Sequence, residues 1–351
     1  MGWVRHRSPA RRLRLIEPLG LLHGPGASEA IERRLALPLA GGPAAFSLAR
    51  LMGDARGIVP ANAIPPEFAE ACARVCAPRP AFAGLPGRGP WVMGIVNVTP
   101  DSFSDGGRHF TLEAAVEAGL ATRAAGADLV DIGGESTRPG SAPVTPEQEQ
   151  ARILPVIEAL AREGVVVSVD TRHAATMRAA LEAGARVVND VTALAHDPLA
   201  AAVVAAARAP VVLMHMRGTP QTMMDHASYA DVAAEVTAEL AQRVAAAVAA
   251  GIAPGDIAVD PGIGFAKDHA QNIELLDRMA ILHTLGCTVL AGVSRKRFIG
   301  HLTGEAVAAQ RGPGSLAAAL AALDRGAAIL RVHDVAETVQ AVRVWRGLNG
   351  R

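Results

Sequence analysis

The stretch GVVVSVDTRHAATMRAALEAGARVVND, Gly164 to Asp190, carries the fold in miniature. Its first run, Val165–Val169, is β-branched and apolar except at Ser168, as in a strand covered on each side. Asp170 ends it. From Ala174 to Glu182 the residues change to helix formers, and Gly184 supplies the left-handed stop. A second apolar run, Arg186–Val188, ends on Asn189. Strand, helix and strand within one such stretch make a βαβ unit, whose strands are parallel and buried.

The same rhythm runs outward from this unit in both directions. Further strand candidates are Val92–Val96, Leu129–Ile132, Val211–Met214, Ile257–Val259, Val289–Val293 and Ala328–Val332, which brings the number to eight. Between them lie helical patterns, clearest in Asp231–Ala250, where Val232, Val236, Leu240, Val244 and Val248 recur every fourth residue before Gly251. Eight βα units in roughly 260 residues are the size of a closed (β/α)8 TIM barrel. An open doubly wound sheet is the rival, and the strand ends argue against it. Asn97, Asp170, Asn189, His215, Asp260, Ser294 and His333 each follow a run directly, and Glu135 follows a little later. In a barrel these side chains converge on one mouth, whereas an open sheet spreads them along an edge.

Upstream of about Gly89 the pattern is poor, with recurrent Pro and Gly and only short apolar runs such as Phe46–Met52. The expected organisation is therefore an N-terminal appendage over residues 1–90 and a barrel over 91–351. The bulk composition suits a globular protein: of 351 residues 50% are hydrophobic and 19% charged, and 34 Lys+Arg balance 34 Asp+Glu. No global field draws the chain to nucleic acid or an anionic membrane. Cys72, Cys76 and Cys287 make no disulfide framework or zinc set, and the uncharged stretch Leu35–Ala49 is too short to span a bilayer. A cytoplasmic location is expected. The arginines at 5, 7, 11, 12 and 14 have the composition of an organellar presequence, but no apolar signal core follows them.

Two hydroxyl-rich loops follow the first two barrel strands, Asn97-Val98-Thr99-Pro100-Asp101-Ser102-Phe103-Ser104-Asp105-Gly106-Gly107 and Gly133-Gly134-Glu135-Ser136-Thr137-Arg138-Pro139-Gly140. Flexible glycines, hydroxyls and a guanidinium can close over a phosphate, and two such loops on one mouth resemble a lid. Asp170 and Asp260 follow β-branched runs, where a carboxylate is costly unless it meets donors or a cation. For Asp170 the alternative is a helix N-cap. Ser294-Arg295-Lys296-Arg297 and Arg331-Val332-His333 end the last two strands, the usual phosphate position in barrels. His215 reads equally well as a structural histidine. Three Trp, one Tyr and seven Phe leave few rings for stacking sugars, and no P-loop, dinucleotide fingerprint, nucleophile elbow or zinc helix is present.

Together these blocks, with Ser168-Val169-Asp170-Thr171, Val188-Asn189-Asp190, Leu213-Met214-His215-Met216 and Asp260-Pro261-Gly262-Ile263-Gly264-Phe265, closely resemble the dihydropteroate synthase family from about Trp91 to the C-terminal helix. The resemblance implies condensation of 6-hydroxymethyl-7,8-dihydropterin diphosphate with 4-aminobenzoate, assisted by Mg2+, in a homodimer. It implies that the pterin is held by Asp170, Asn189, Asp260 and Lys296, and the diphosphate by Asn97, Arg138, Arg331 and His333, with Asn97 also offering its oxygen to Mg2+. Asp170, Lys296 and Asn97 are then the catalytic set. Phe103, Thr137, Pro139, Phe265, Ser294 and the stem of Lys296 shape the 4-aminobenzoate pocket. Ala266 departs from the family, which commonly has glycine there, and a compact family member lacks residues 1–90. That segment is left with three readings: packing on the barrel bottom, assisting oligomerisation, or taking no part in the chemistry. Rival functions are methyl transfer from methyltetrahydrofolate to a corrinoid protein, and a catalytically silent pterin-binding partner.

Overall fold

The computed structural model of the chain describes residues 13–53, 55–87, 89–99, 112–135 and 144–350. The N-terminal part holds β1 (Leu15–Leu22), α1 (Gly24–Glu32), β2 (Leu37–Pro38), β3 (Ala45–Met52), β4 (Gly57–Pro60) and α2 (Ala69–Cys76). The four strands form one antiparallel sheet in which β3 pairs with β1, β2 and β4. Only β3 stands out in the sequence. Pro18 and Gly20 interrupt the apolar run of β1, and β2 is two residues long, so their pairing comes from partners distant in the chain. Ile16, Phe46, Leu51, Phe68 and Val75 close a small core of this region's own.

From β5 (Trp91–Asn97) onward the chain alternates strand and helix: α3 (Leu112–Ala124), β6 (Leu129–Gly133), α4 (Pro146–Arg162), β7 (Val167–Asp170), α5 (Ala174–Glu182), β8 (Val187–Asp190) and α6 (Ala200–Ala207). Next come β9 (Val211–Met214), α7 (Val232–Ala249), β10 (Ile257–Asp260), α8 (His269–Asp277), β11 (Thr288–Ala291), α9 (Arg297–Thr303), α10 (Gly312–Asp324), β12 (Ile329–Val332) and α11 (Val335–Leu348). Strands β5 to β12 pair in parallel and close, β12 against β5. This is the (β/α)8 barrel. Boundaries move by a residue or two from the sequence reading. Asp231, for instance, is the N-cap of α7 rather than part of it, its Oδ1 accepting from the Ala234 amide at 2.9 Å.

The segment between α2 and β5 closes the barrel from below. Phe82 and Leu85 pack against Trp91, Met93, Leu129, Val187, Val212, Ala258, Leu290 and Ile329, inward side chains from around the ring, and Phe82 has no exposed surface. The small sheet docks beside this floor on the 3-10 stretch Met279–Leu285 that follows α8. The buried Glu17 carboxylate pairs with Arg278 at 2.9 Å and Arg50 at 2.7 Å, and Arg74 donates to the Thr284 carbonyl at 2.7 Å. Arg79 donates to the Cys287 carbonyl at 3.0 Å and meets the His283 ring at 3.3 Å. Among the described residues no helix is long and apolar enough to cross a membrane.

Candidate active site

Side chains alternate along a strand, so the inward position above each floor residue lies two residues on. Counting up from the floor places Ile95, Asp131, Ser168, Asn189, Met214, Asp260, Gly292 and Arg331 in the next layer, and Asn97, Gly133, Asp170, Ser294 and His333 above or beside it. An apolar plug is thus topped by a polar layer. The two meet in mid-barrel.

Arg331 is the hub of that layer. Its Nε donates to Asp131 Oδ2 at 2.6 Å and its Nη2 to Asp170 Oδ2 at 2.8 Å, so one guanidinium joins carboxylates from β6 and β7 across the bore. Asn189 Nδ2 adds a bond to Asp131 Oδ2 at 3.0 Å. Asp131 has no exposed surface, and its Oδ1 has no partner among the described residues. Burial pushes Asp170 up to about 7 although Arg331 pulls it down, with Asp131 adding to the rise. Asp170 is not a helix cap: α5 starts after His173. Its Oδ2 and the Oδ1 of Asn97 lie 3.8 and 3.7 Å from the point a β-carbon on Gly133 would occupy, so both oxygens flank one spot at the mouth.

On the opposite wall, Asp260 is 6% exposed, and its Oδ1 accepts from the Gly262 amide at 2.7 Å. Burial raises its pKa, while that hydrogen bond and the cations of Lys296, Arg331 and Lys267 oppose the rise. Lys296 lies over the Phe265 ring, Nζ 4.4 Å from its centre, and burial pulls its ammonium down to about 8. Ser294 Oγ and His333 Nδ1 are 3.0 Å apart, and the same Oγ accepts from the His333 amide at 3.2 Å. Glu135, which also follows a strand, is turned into an ion pair with Arg172 at 2.7 Å. His215 is buried and hydrogen-bonded.

The structure thus gathers Asp170, Asn189, Asp260, Lys296, Phe265, Arg331, Ser294, His333 and Asn97 around one bore, with Arg331 committed to carboxylates inside it. Phe103, Thr137, Arg138 and Pro139 lie outside the described residues. Two residues escaped the sequence reading. Asp131 sits in the middle of an apolar strand, and Lys267, 3% exposed, lies just past the Gly262–Gly264 turn. A carboxylate inside the run Leu-Val-Asp-Ile-Gly was a usable signal for the first, by the same desolvation argument applied to Asp170.

A family model described as a pterin binding enzyme matches residues 93–333. The chain belongs to the pterin-binding enzyme family. It is 46% identical over 256 residues to the dihydropteroate synthase of Escherichia coli (strain K12), covering 73% of this chain and 90% of that one. Among solved structures, the Xanthomonas albilineans dihydropteroate synthase with 4-aminobenzoic acid has 53% identity and a TM-score of 0.71, covering 75% of this chain and 94% of that one. The same organism's enzyme in complex with 7,8-dihydropteroate has 49% identity and a TM-score of 0.69, over 76% and 98%. For a pterin-binding enzyme the polar layer is chemically apt. Carboxylates accept the ring's N–H groups, while amide, ammonium and guanidinium groups donate to its acceptor atoms.

Proposed function

We propose that this chain is a dihydropteroate synthase, joining 6-hydroxymethyl-7,8-dihydropterin diphosphate to 4-aminobenzoate with release of diphosphate. The observation that carries the reading is the polar layer itself: two buried carboxylates on facing walls, with Asn189, Lys296 and Arg331 between and above them, in a bore closed below. In this reading Asp170, Asn189, Asp260 and Lys296 orient the pterin, and its methylene points to the mouth. The C–O bond to diphosphate breaks largely before the amine attacks. Asp170 faces the positive charge that develops on the methylene, and that charge favours its ionised form. The amine nitrogen then bonds to the methylene and gives up a proton, the electron pair of the broken bond having left on diphosphate.

His333, with Arg138 and Asn97, receives the diphosphate, and Arg331 reaches it through Nη1, its Nε and Nη2 being held by Asp131 and Asp170, while Thr137, Phe103, Pro139, Phe265 and Ser294 seat 4-aminobenzoate. A Mg2+ would be a hard-oxygen partner for the diphosphate, the chemistry that ion prefers. Asn97 Oδ1 would hold it at the mouth, where the ion would supply charge neutralisation for the leaving group. The same reading expects a cytoplasmic homodimer.

The test is magnesium-dependent diphosphate release on mixing the two substrates with the full-length chain, read together with dihydropteroate formation. Asp170→Ala is expected to abolish turnover and retain the barrel's circular dichroism. Near-normal turnover in that variant would remove Asp170 from the chemistry. Pterin binding without release by the wild-type protein would leave a silent binding protein in place of the enzyme.

A further inference from the structure

Lys267 holds the position of the pterin-side loop without a hydrogen atom to spare for a ligand. Its three ammonium hydrogens meet three acceptors: Phe265 O at 2.9 Å, Gly262 O at 3.1 Å and His215 Nδ1 at 3.1 Å. Because Nδ1 accepts, the ring carries its hydrogen on Nε2 and donates to Glu239 Oε2 at 3.0 Å, and Glu239 is itself gripped by Arg217. A chain of charge and hydrogen bonds therefore runs from the half-exposed surface of α7 through His215 to the loop after β10.

Both carbonyls that Lys267 holds belong to the turn that shapes the site. Gly262 places its amide on Asp260, Gly264 passes under the Lys296 stem, and Phe265 presents the ring on which Lys296 rests. The turn is built tightly against its support. A β-carbon on Gly262 would lie 2.0 Å from the His215 carbonyl oxygen. We infer that Lys267, anchored through His215 to Glu239, is a positioning residue that fixes the Asp260 carboxylate and the Phe265 platform of Lys296 for pterin binding. Burial pulls the Lys267 ammonium down to about 7 while Asp260 opposes the fall, so below that pH its charge faces Asp260 together with Lys296 and Arg331, and Asp170 lies beyond them towards Lys296. Losing one of those three cations makes Asp260 easier to protonate.

This inference rests on the pterin-binding reading, so its test is binding rather than turnover, with 6-hydroxymethylpterin lacking phosphates as the probe. Affinity is measured across pH for the wild-type chain, Lys267→Met and Glu239→Ala, with circular dichroism to check the fold. Lys267→Met is expected to weaken binding about tenfold at neutral pH and to move the acid limb of binding to higher pH. Glu239→Ala, on the half-exposed face of α7, leaves the barrel's core intact and is expected to weaken binding about threefold, since the His215 ring loses its acceptor. It decides the matter should Lys267→Met fail to fold. Wild-type affinity with an unmoved acid limb in a folded Lys267→Met, or wild-type affinity in Glu239→Ala where Lys267→Met does not fold, overturns the positioning role. Absence of pterin binding by the wild-type chain overturns the underlying reading instead, and this inference with it.

Discussion

A guanidinium held between a fully buried carboxylate and a part-buried one is balanced so that removing any one member strands the others. Arg331→Met should destabilise the fold by about 3–5 kcal/mol, because Asp131 and Asp170 then face each other with no cation between them. Adding Asp131→Asn should return part of that stability in urea denaturation while turnover stays lost, which separates structural debt from chemistry. Equal stability of the single and double variants would show that the pair is not what Arg331 compensates. Gly262→Ala tests the other wall: its backbone is at φ +68° and its β-carbon would strike the His215 carbonyl, so pterin affinity should collapse before global stability does. Ala266 also occupies the left-handed region, at φ +50°, which explains why glycine suits this position, and Ala266→Gly should raise stability by no more than about 1 kcal/mol. Asp170, Asn189 and Asp260 were legible in the sequence because each terminates an apolar run, and Lys296 because it belongs to the basic cluster that follows one. Asp131 was hidden one layer below the mouth among apolar neighbours. Lys267 was hidden because its meaning lies in two backbone carbonyls that only a folded turn brings together.

The elements of the barrel were readable for a different reason: short apolar strands and helix-period segments alternate in order, and each strand pairs with a near neighbour in sequence. The N-terminal sheet has no such local signature. Its register joins Leu15 to Met52 and Leu22 to Ala45, and the ion pairs of Glu17 reach Arg278 far along the chain. The segment from Arg79 to Leu85 carries the least pattern of all, yet it supplies the floor. Phe82→Ala should cost about 3–5 kcal/mol through the cavity it leaves against Trp91 and Met93. Trp91 fluorescence during urea unfolding would read this, and an unchanged midpoint would mean that the floor relaxes into the gap. A chain begun at Gly89 removes Phe82 and Leu85 together. It is expected to be less stable than one begun at Arg79, even though neither cut touches the mouth.

Across the whole molecule, the joint between the small sheet and the barrel is sensitive to acid. His283 is held neutral, its pKa drawn down to about 3 by burial and by the Arg79 cation beside it. A depressed pKa means that the native state binds fewer protons than the unfolded chain below the ordinary histidine value. The stability this contributes is therefore complete above about 6.5 and is lost as pH falls towards 3, up to roughly 4 kcal/mol. His283→Gln should flatten that slope between pH 7 and pH 5 in urea unfolding. An identical slope in the variant would place the acid sensitivity elsewhere. The sealed floor has a kinetic consequence as well. Because Phe82 and Leu85 close the lower end, the bore is a cul-de-sac with one door, and a molecule seated at its depth leaves only past whatever occupies the doorway. With the pterin seated at that depth, as proposed above, it enters first, and a second reactant waiting at the threshold turns that order into residence time. Excess 4-aminobenzoate should therefore slow the escape of bound pterin in a chase experiment, by obstruction rather than by tighter grip.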